Sequence, residues 1–298
     1  MRAYLPDYEM ITAPSLQGAL EVLARGEFRP FAGGTDLMVL FEAGKLSHHK
    51  WLSIWGLDEL RGIRVEAAHI AMGALTTYSQ IQRDATVQAE FPLLIEAARL
   101  TGAIAIQNRG TLGGNIVNAS PAADSPPALL VYEAELELVS CVGGKIVSRW
   151  VSYRDFHTGY KSTLLKKGEL LRTIRLPRTL GAEKGWVQHY RKVGTRKAQA
   201  ISKICIAAAA RVEGAKITDA RIALGSVAPV PMRCLKTEAY LRGKDLGLAA
   251  SWMGEARAVI ASEISPIDDI RSNADYRRGV TQNLLEEFVK KLSSGSTR

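Results

Sequence analysis

Apolar positions along this chain keep two periods, and the switches between them predict an α+β protein. Leu16, Ala19, Leu20 and Leu23 fall on one helical face; Ser15 can cap that helix and Gly26 can stop it. A short apolar strand follows over 28–32, with Pro30 near an edge or a strand end. Gly33-Gly34-Thr35-Asp36 then leads into the apolar run 37–41, which reads as a second strand or as a helix behind a glycine turn. Further strands are expected at 51–54, 63–65 and 69–72, with helices behind Thr76 or Thr77, behind Phe91-Pro92 and over 128–132. Ala134, Leu136 and Leu138 alternate with Glu133, Glu135 and Glu137, the period of a half-buried strand, and Gly143-Gly144 turns it into a hairpin with 145–151. A strand at 170–176 stops at Pro177. The last third predicts strands at 186–193, 200–212 and 217–226, then helices at 237–241, 248–264 and 275–292. Lys203 interrupts the apolar run of the second of those strands.

These elements divide into a small α/β unit over 1–57, an antiparallel-sheet unit over 58–177, a C-terminal unit of antiparallel strands and helices over 178–292, and a polar, frayed tail over 293–298. The stretch from Asn108 to Pro127 fits neither period. It is dense in glycine, proline and asparagine and is expected to be irregular. A long irregular segment inside a compact domain is uncommon unless it binds something. Gly110, Gly113 and Gly114 let the main chain approach a ligand, and Thr111, Asn115, Asn118 and Ser120 supply neutral donors and acceptors. Gly33-Gly34-Thr35-Asp36 has the same character, and its successive N–H groups can converge on an anion. Two such turns, distant in sequence, can close on the two phosphates of one pyrophosphate. Neither has the spaced glycines of a Rossmann fingerprint or the Gly-Lys-Ser/Thr of a phosphate-binding loop.

Composition narrows the alternatives. Hydrophobic residues make up 47% and charged residues 23% of the chain, a folded globular mix rather than a disordered one. No apolar run reaches the length of a membrane span, and Asp7 and Glu9 stand where a signal peptide would carry its apolar core, so a cytoplasmic protein is expected. The net charge of +9 reads as a solvated, mildly basic surface rather than a nucleic-acid face, because the basic residues are scattered and no nucleic-acid motif accompanies them; an acidic partner subunit stays open. Cys141, Cys205 and Cys234 lie far apart, so free thiols are expected and no metal or iron–sulfur site of the chain's own. The adjacent His48 and His49 diverge as neighbours and read as a surface loop. No Ser-His-Asp order, His-Glu-x-x-His motif or carboxylate pair stands out. Any reactive atoms are therefore expected to belong to a bound cofactor.

The runs Ala32-Gly33-Gly34-Thr35-Asp36-Leu37 and Asn108-Arg109-Gly110-Thr111-Leu112-Gly113-Gly114-Asn115-Ile116 resemble the two FAD loops of the flavoprotein subunit of molybdenum hydroxylases, which include xanthine dehydrogenase and carbon monoxide dehydrogenase. The resemblance covers nearly the whole chain. It implies the FAD-binding fold of the vanillyl-alcohol-oxidase and molybdenum-hydroxylase type, with a C-terminal α+β domain. By that resemblance Phe31, Ala32, Gly33, Gly34, Thr35, Asp36 and Leu37 wrap the pyrophosphate from one side. Thr111, Gly114 and Asn115 hold it from the other, and Val117, Asn118 and Asp124 reach toward the ribityl chain or flavin. A carboxylate beside a pyrophosphate would repel it, so Asp124 is expected to meet a ribityl hydroxyl and Asp36 to cap the helix that follows.

The segment 156–165 and then Gly168-Glu169-Leu170-Leu171 look like xanthine dehydrogenases, which would lay Leu170 and Leu171 against adenine or flavin. Tyr190-Arg191-Lys192 and Arg196 match as well; Lys192 would stand near the flavin's carbonyl edge as the catalytic cation, with Lys203 as runner-up and an exposed strand lysine as the plain alternative. The segment 100–104 lacks the aromatic ring that relatives often place on the isoalloxazine, leaving Tyr160 or Tyr190 for that contact. The resemblance further implies molybdopterin and 2Fe–2S clusters in partner subunits only, a dimer of heterotrimers, and NAD as electron acceptor. A quinone acceptor, a carbon monoxide or heterocycle-oxidising complex, a non-catalytic dinucleotide-binding module and a stand-alone flavin reductase are the alternatives.

Overall fold

The computed structural model describes residues 7–183, 185–196 and 199–295. The start of the segment read for a signal peptide and the end of the predicted tail lie outside the described residues. Strands β1 (Glu9–Thr12), β2 (Arg29–Phe31) and β3 (Lys50–Ser53) form a parallel sheet in the order β1-β3-β2. Helix α1 (Leu16–Arg25) crosses over it; the Ser15 side chain caps its start and Gly26, at φ 81°, ends it. The apolar run after the first glycine turn is helix α2 (Leu37–Glu42), not a strand.

The second sheet is antiparallel. Its strands are β4 (Ile63–Val65), β5 (His69–Gly73), β6 (Glu135–Val142) and β7 (Lys145–Ser152), joined by β10 (Leu170–Pro177) in the order β4-β5-β10-β6-β7. A small hairpin of β8 (His157–Gly159) and β9 (Ser162–Thr163) precedes β10. Between β5 and β6 the chain is helical: α3 (Tyr78–Arg83), α4 (Ala85–Glu90), α5 (Pro92–Leu100), α6 (Ile104–Arg109), α7 (Leu112–Asn118) and α8 (Ser125–Val131). The expected irregular stretch 108–127 therefore contains the whole of α7 and the first turn of α8. Their glycines and prolines give no helix propensity. Capping and packing replace it: Thr111 caps α7, prolines occupy the first turn of α8, and every residue of α8 is buried.

After α9 (Thr179–Ala182), strands β11 (Trp186–Val193), β12 (Ile204–Glu213), β13 (Lys216–Gly225) and β14 (Met232–Arg233) make an antiparallel sheet in that order. Helices α10 (Leu235–Leu241), α11 (Ala249–Glu263) and α12 (Ala274–Gly295) follow. Helix α12 runs into the stretch expected to fray. The unbroken apolar run of β12 is explained by burial on both faces. Ile204, Ile206, Ala208 and Ala210 join the core under the C-terminal helices, while Ala207 and Ala209 join the core of the second sheet. Alanine is small enough to let α8 approach that face closely, and this contact carries β11 to the N-terminal end of α8.

Candidate cofactor-binding site

The first glycine turn sits where β2 ends, on the edge formed by the C-terminal ends of three parallel strands. In open α/β sheets that edge is where ligands bind. Ile54 N–H donates to Phe31 O at 3.0 Å and ties the ends of β2 and β3 together. Gly34 has φ +76°, and a Cβ on it would stand 2.5 Å from the Phe31 ring. Met38 N–H donates to Gly34 O at 2.8 Å. The N–H groups of Gly33, Gly34, Thr35 and Asp36 have no hydrogen-bond partner among the described residues. Asp36 holds the cap position of α2, but its backbone is αR and its side chain makes no cap bond. A capping side chain needs extended backbone to reach back to the helix amides, so the expected role of Asp36 is not realised.

The second turn touches the first. A Cβ on Gly33 would stand 1.9 Å from Arg109 O, so only glycine permits this contact. Within the second turn the amides are already used. Leu112 N–H donates to Thr76 O at 2.9 Å, Gly113 N–H to Ala74 O at 2.9 Å, Gly114 N–H to Thr111 Oγ1 at 3.0 Å and Asn115 N–H to Thr111 O at 3.0 Å. Gly113 is required for packing, since its Cβ would lie 2.6 Å from the Ala74 Cβ. Gly114 is exposed, and its Cβ would meet only Thr111 Oγ1, at 2.8 Å. What this turn offers a ligand is side chains. Asn115 Oδ1 is buried without a partner. Asn118 Oδ1 accepts from Lys161 Nζ at 2.7 Å, and Val117 is exposed. His157 of the β8–β9 hairpin donates from Nε2 to Ile116 O at 2.7 Å, pinning α7 from behind. A cavity of about 620 Å³ opens between the first turn with α2 and α6, lined by Gly33, Gly34, Thr35, Met38, Val39, Phe41, Glu42, Ala105, Ile106 and Arg109; Thr111, Gly114, Asn115, Val117 and Asn118 do not line it.

Asp124 and Lys192 form one unit. Lys192 Nζ lies 2.7 Å from Asp124 Oδ2 and donates to Leu100 O at 2.8 Å. Ser202 Oγ donates to Asp124 Oδ1 at 2.5 Å, and Tyr190 OH donates to Asp124 O at 2.8 Å. The Lys192 side chain is only 8% exposed, which removes the exposed-lysine reading. Burial pushes the Asp124 carboxyl up from its ordinary value, against the pull of the Lys192 ammonium and the Ser202 hydroxyl. Both carboxylate oxygens thus have protein partners, where a ribityl hydroxyl was expected. Lys203 lies elsewhere, over the Tyr276 ring at 5.0 Å.

Leu170 and Leu171 are buried in two different cores, as adjacent strand residues facing opposite sides must be. They do not share one ligand-facing surface. Tyr190 has its hydroxyl engaged, whereas Tyr160 is 70% exposed at the hairpin tip. Ser202, which donates to Asp124, carries no local sequence signal for this role. Arg109 does carry a signal, as a cation inside the second turn's motif. Among the described residues no cluster of His, Cys, Asp or Glu could hold a metal, and no helix is long and apolar enough to cross a membrane.

Four unpaired amides suit an anionic diphosphate, and a buried amide oxygen without a donor suits a ligand hydroxyl or N–H. The residues present therefore fit FAD. Residues 6–179 match the model of the FAD binding domain in molybdopterin dehydrogenase, and residues 188–292 match the CO dehydrogenase flavoprotein C-terminal domain. The chain belongs to the FAD-binding subunits of the molybdenum hydroxylases.

Relatives of this flavoprotein subunit differ in what their complexes are named for. The chain is 33% identical to the glyceraldehyde dehydrogenase medium chain of Sulfolobus acidocaldarius, over 97% of this chain and 100% of that one. It is 29% identical to a xanthine dehydrogenase FAD-binding subunit of Escherichia coli, over 93% of each. Among solved structures, a reconstituted CO dehydrogenase from Oligotropha carboxidovorans superposes with a TM-score of 0.89 at 25% identity, covering 98% of this chain and 99% of that one.

Proposed function

We propose that this subunit binds FAD between its two glycine turns and, in a cytoplasmic complex with an iron–sulfur subunit and a molybdopterin subunit, carries electrons from the partner's clusters to NAD⁺, as a xanthine-dehydrogenase-like dimer of heterotrimers. The observation that carries this reading is the row of unpaired amides from Gly33 to Asp36, set against the second turn. Bound FAD supplies the redox chemistry: it accepts electrons and releases them to the acceptor.

The chain's own residues do the holding. The Gly33–Asp36 amides take the diphosphate, and Asn115 Oδ1 accepts from a ligand hydroxyl or N–H. Gly114 keeps the path between the turns clear, while Lys192, fixed by Asp124 and Leu100 O, keeps a cation at the far end of the site. The relatives' names favour a second reading of the complex, not of this subunit: the full-length match at 33% to a glyceraldehyde dehydrogenase chain points to an aldehyde substrate. That choice lies in the molybdopterin partner.

The test is cofactor content. Protein co-expressed with its genomic neighbours is expected to be yellow, with about one FAD per chain, and Gly114→Val is expected to lose FAD while largely keeping its fold, since a Cβ at this exposed position meets only Thr111 Oγ1, at 2.8 Å. A colourless protein that takes up no added FAD contradicts the reading. Reoxidation of the reduced complex by NAD⁺ against a quinone separates the acceptors.

A further inference from the structure

Arg109 stands at the junction of the two turns without an assigned role. Its carbonyl is the atom against which Gly33 packs, and its side chain lines the same cavity as Gly33, Gly34 and Thr35. The guanidinium carbon lies 3.8 Å from the centre of the Trp55 ring. Trp55 follows the C-terminal end of β3, so the indole stands on the same sheet edge as the first turn. Arg61 also stacks on this indole, at 4.6 Å, and donates to Trp55 O, which fixes the ring in place. The two arginines differ in their other partners. Arg61 faces Asp58 at 3.9 Å. Arg109 is exposed, and no carboxylate lies within ion-pair distance of it among the described residues.

We propose that Arg109, held over the Trp55 ring, is the counter-charge of the bound diphosphate. The proposal rests on the FAD-binding reading given above. Stacking uses the face of a guanidinium and leaves its edge N–H groups free, and those are the groups that pair with phosphate oxygens in a planar, two-point manner. Four neutral amides can orient a diphosphate but bring no net charge. Arg109 is the cation that lines the cavity beside them. Glu42 lines the cavity too and repels phosphate, so the diphosphate is drawn to the Arg109 and Gly33 end and away from Glu42. Trp55 lowers the entropy cost of ordering a long side chain before the ligand arrives.

The experiment is titration of the flavin-stripped full chain with FAD at low and at raised ionic strength, with far-UV circular dichroism and melting as controls. Arg109→Ala is expected to weaken FAD binding by about ten- to a hundredfold and to flatten its salt dependence, with the melting curve unchanged. Arg109→Lys is expected to keep the salt dependence and lose part of the affinity, because an ammonium neither stacks as a plane nor pairs at two points. Trp55→Leu is expected to lose a smaller part. Unchanged affinity in Arg109→Ala overturns the proposal, and so does weaker binding with unaltered salt dependence, which makes Arg109 a packing residue. Failure of the unmutated chain to bind FAD removes the FAD reading and this proposal with it; failure of the variants alone removes only the proposal.

Discussion

The two glycine turns look alike as sequence and differ as chemistry. In the first, four successive amides are left without partners and the side chains contribute little. In the second, the amides from Leu112 to Asn115 are spent on Thr76, Ala74 and Thr111, and the ligand is offered side chains instead. The glycines follow this division. Gly33 and Gly113 are there because backbone or side chain comes too close for a Cβ; Gly34 because of its positive φ; Gly114 because the space in front of it is to be kept open. A glycine-rich motif therefore does not by itself identify donors. The hydrogen bonds must be followed to see which amides remain.

The largest expected effect on FAD binding comes from closing the gap between the turns. Gly33→Ala places a methyl group 1.9 Å from Arg109 O, a backbone atom that cannot step aside. Overpacking of this kind costs about 1–3 kcal/mol, and it also moves the first turn's amides. Loss of measurable FAD binding and a lowered melting temperature are expected; normal FAD occupancy would mean the turns do not meet as described.

Next comes the Asp124–Lys192 pair, which follows the second turn. Lys192→Met strands a buried carboxylate and is expected to destabilise the protein by about 3–5 kcal/mol. Asp124→Asn leaves the ammonium uncompensated and is expected to raise the flavin midpoint potential by on the order of tens of millivolts, by electrostatics alone. The double variant is expected to recover most of the stability lost in Lys192→Met. Equal denaturation midpoints for Lys192→Met and wild type would refute the buried pair.

A subtler contrast concerns Asn115. Its Oδ1 has no partner in the protein, so Asn115→Ala removes nothing that stabilises the ligand-free fold. Unchanged or slightly raised stability is expected, together with roughly tenfold weaker FAD binding. If stability falls and FAD affinity does not, the second turn's side chains serve the fold and not the ligand.

These contrasts show what could be read in advance. Elements with a clean period, such as α1 and the β6–β7 hairpin, were legible from Leu16, Ala19, Leu20 and Leu23 and from the Glu133–Leu138 alternation. Helix α7 was not, because its first turn becomes helical only when Thr76 O and Ala74 O accept the Leu112 and Gly113 amides and Thr111 Oγ1 accepts that of Gly114. The positions of the two turns were legible in their glycines, but the division of labour was not. Nor was the pairing of Asp124 with Lys192, which are 68 residues apart and meet because β12 and β13 pack on α8 and β11 pairs with β12.

The smallest effect again separates the turns. Burial holds the His157 imidazole below the usual histidine range, partly offset by its bond to Ile116 O. As pH falls below about 6.5 the unfolded chain takes up the proton first, so stability that is complete above that value is lost toward the lower folded value. Given the ring's partial exposure the change is expected to stay under about 1 kcal/mol. It is measured as the difference between wild-type and His157→Gln melting temperatures at pH 7.5 and 5.5. Equal shifts in both proteins would show that His157 carries none of it.

The division between the turns is tested most directly by amide hydrogen exchange with and without FAD, read at single residues. Slowed exchange at Gly33, Gly34, Thr35 and Asp36 on FAD binding, with little change at Leu112, Gly113, Gly114 and Asn115, is the expected result. Unaltered exchange at the first four residues in the FAD-loaded protein would contradict it.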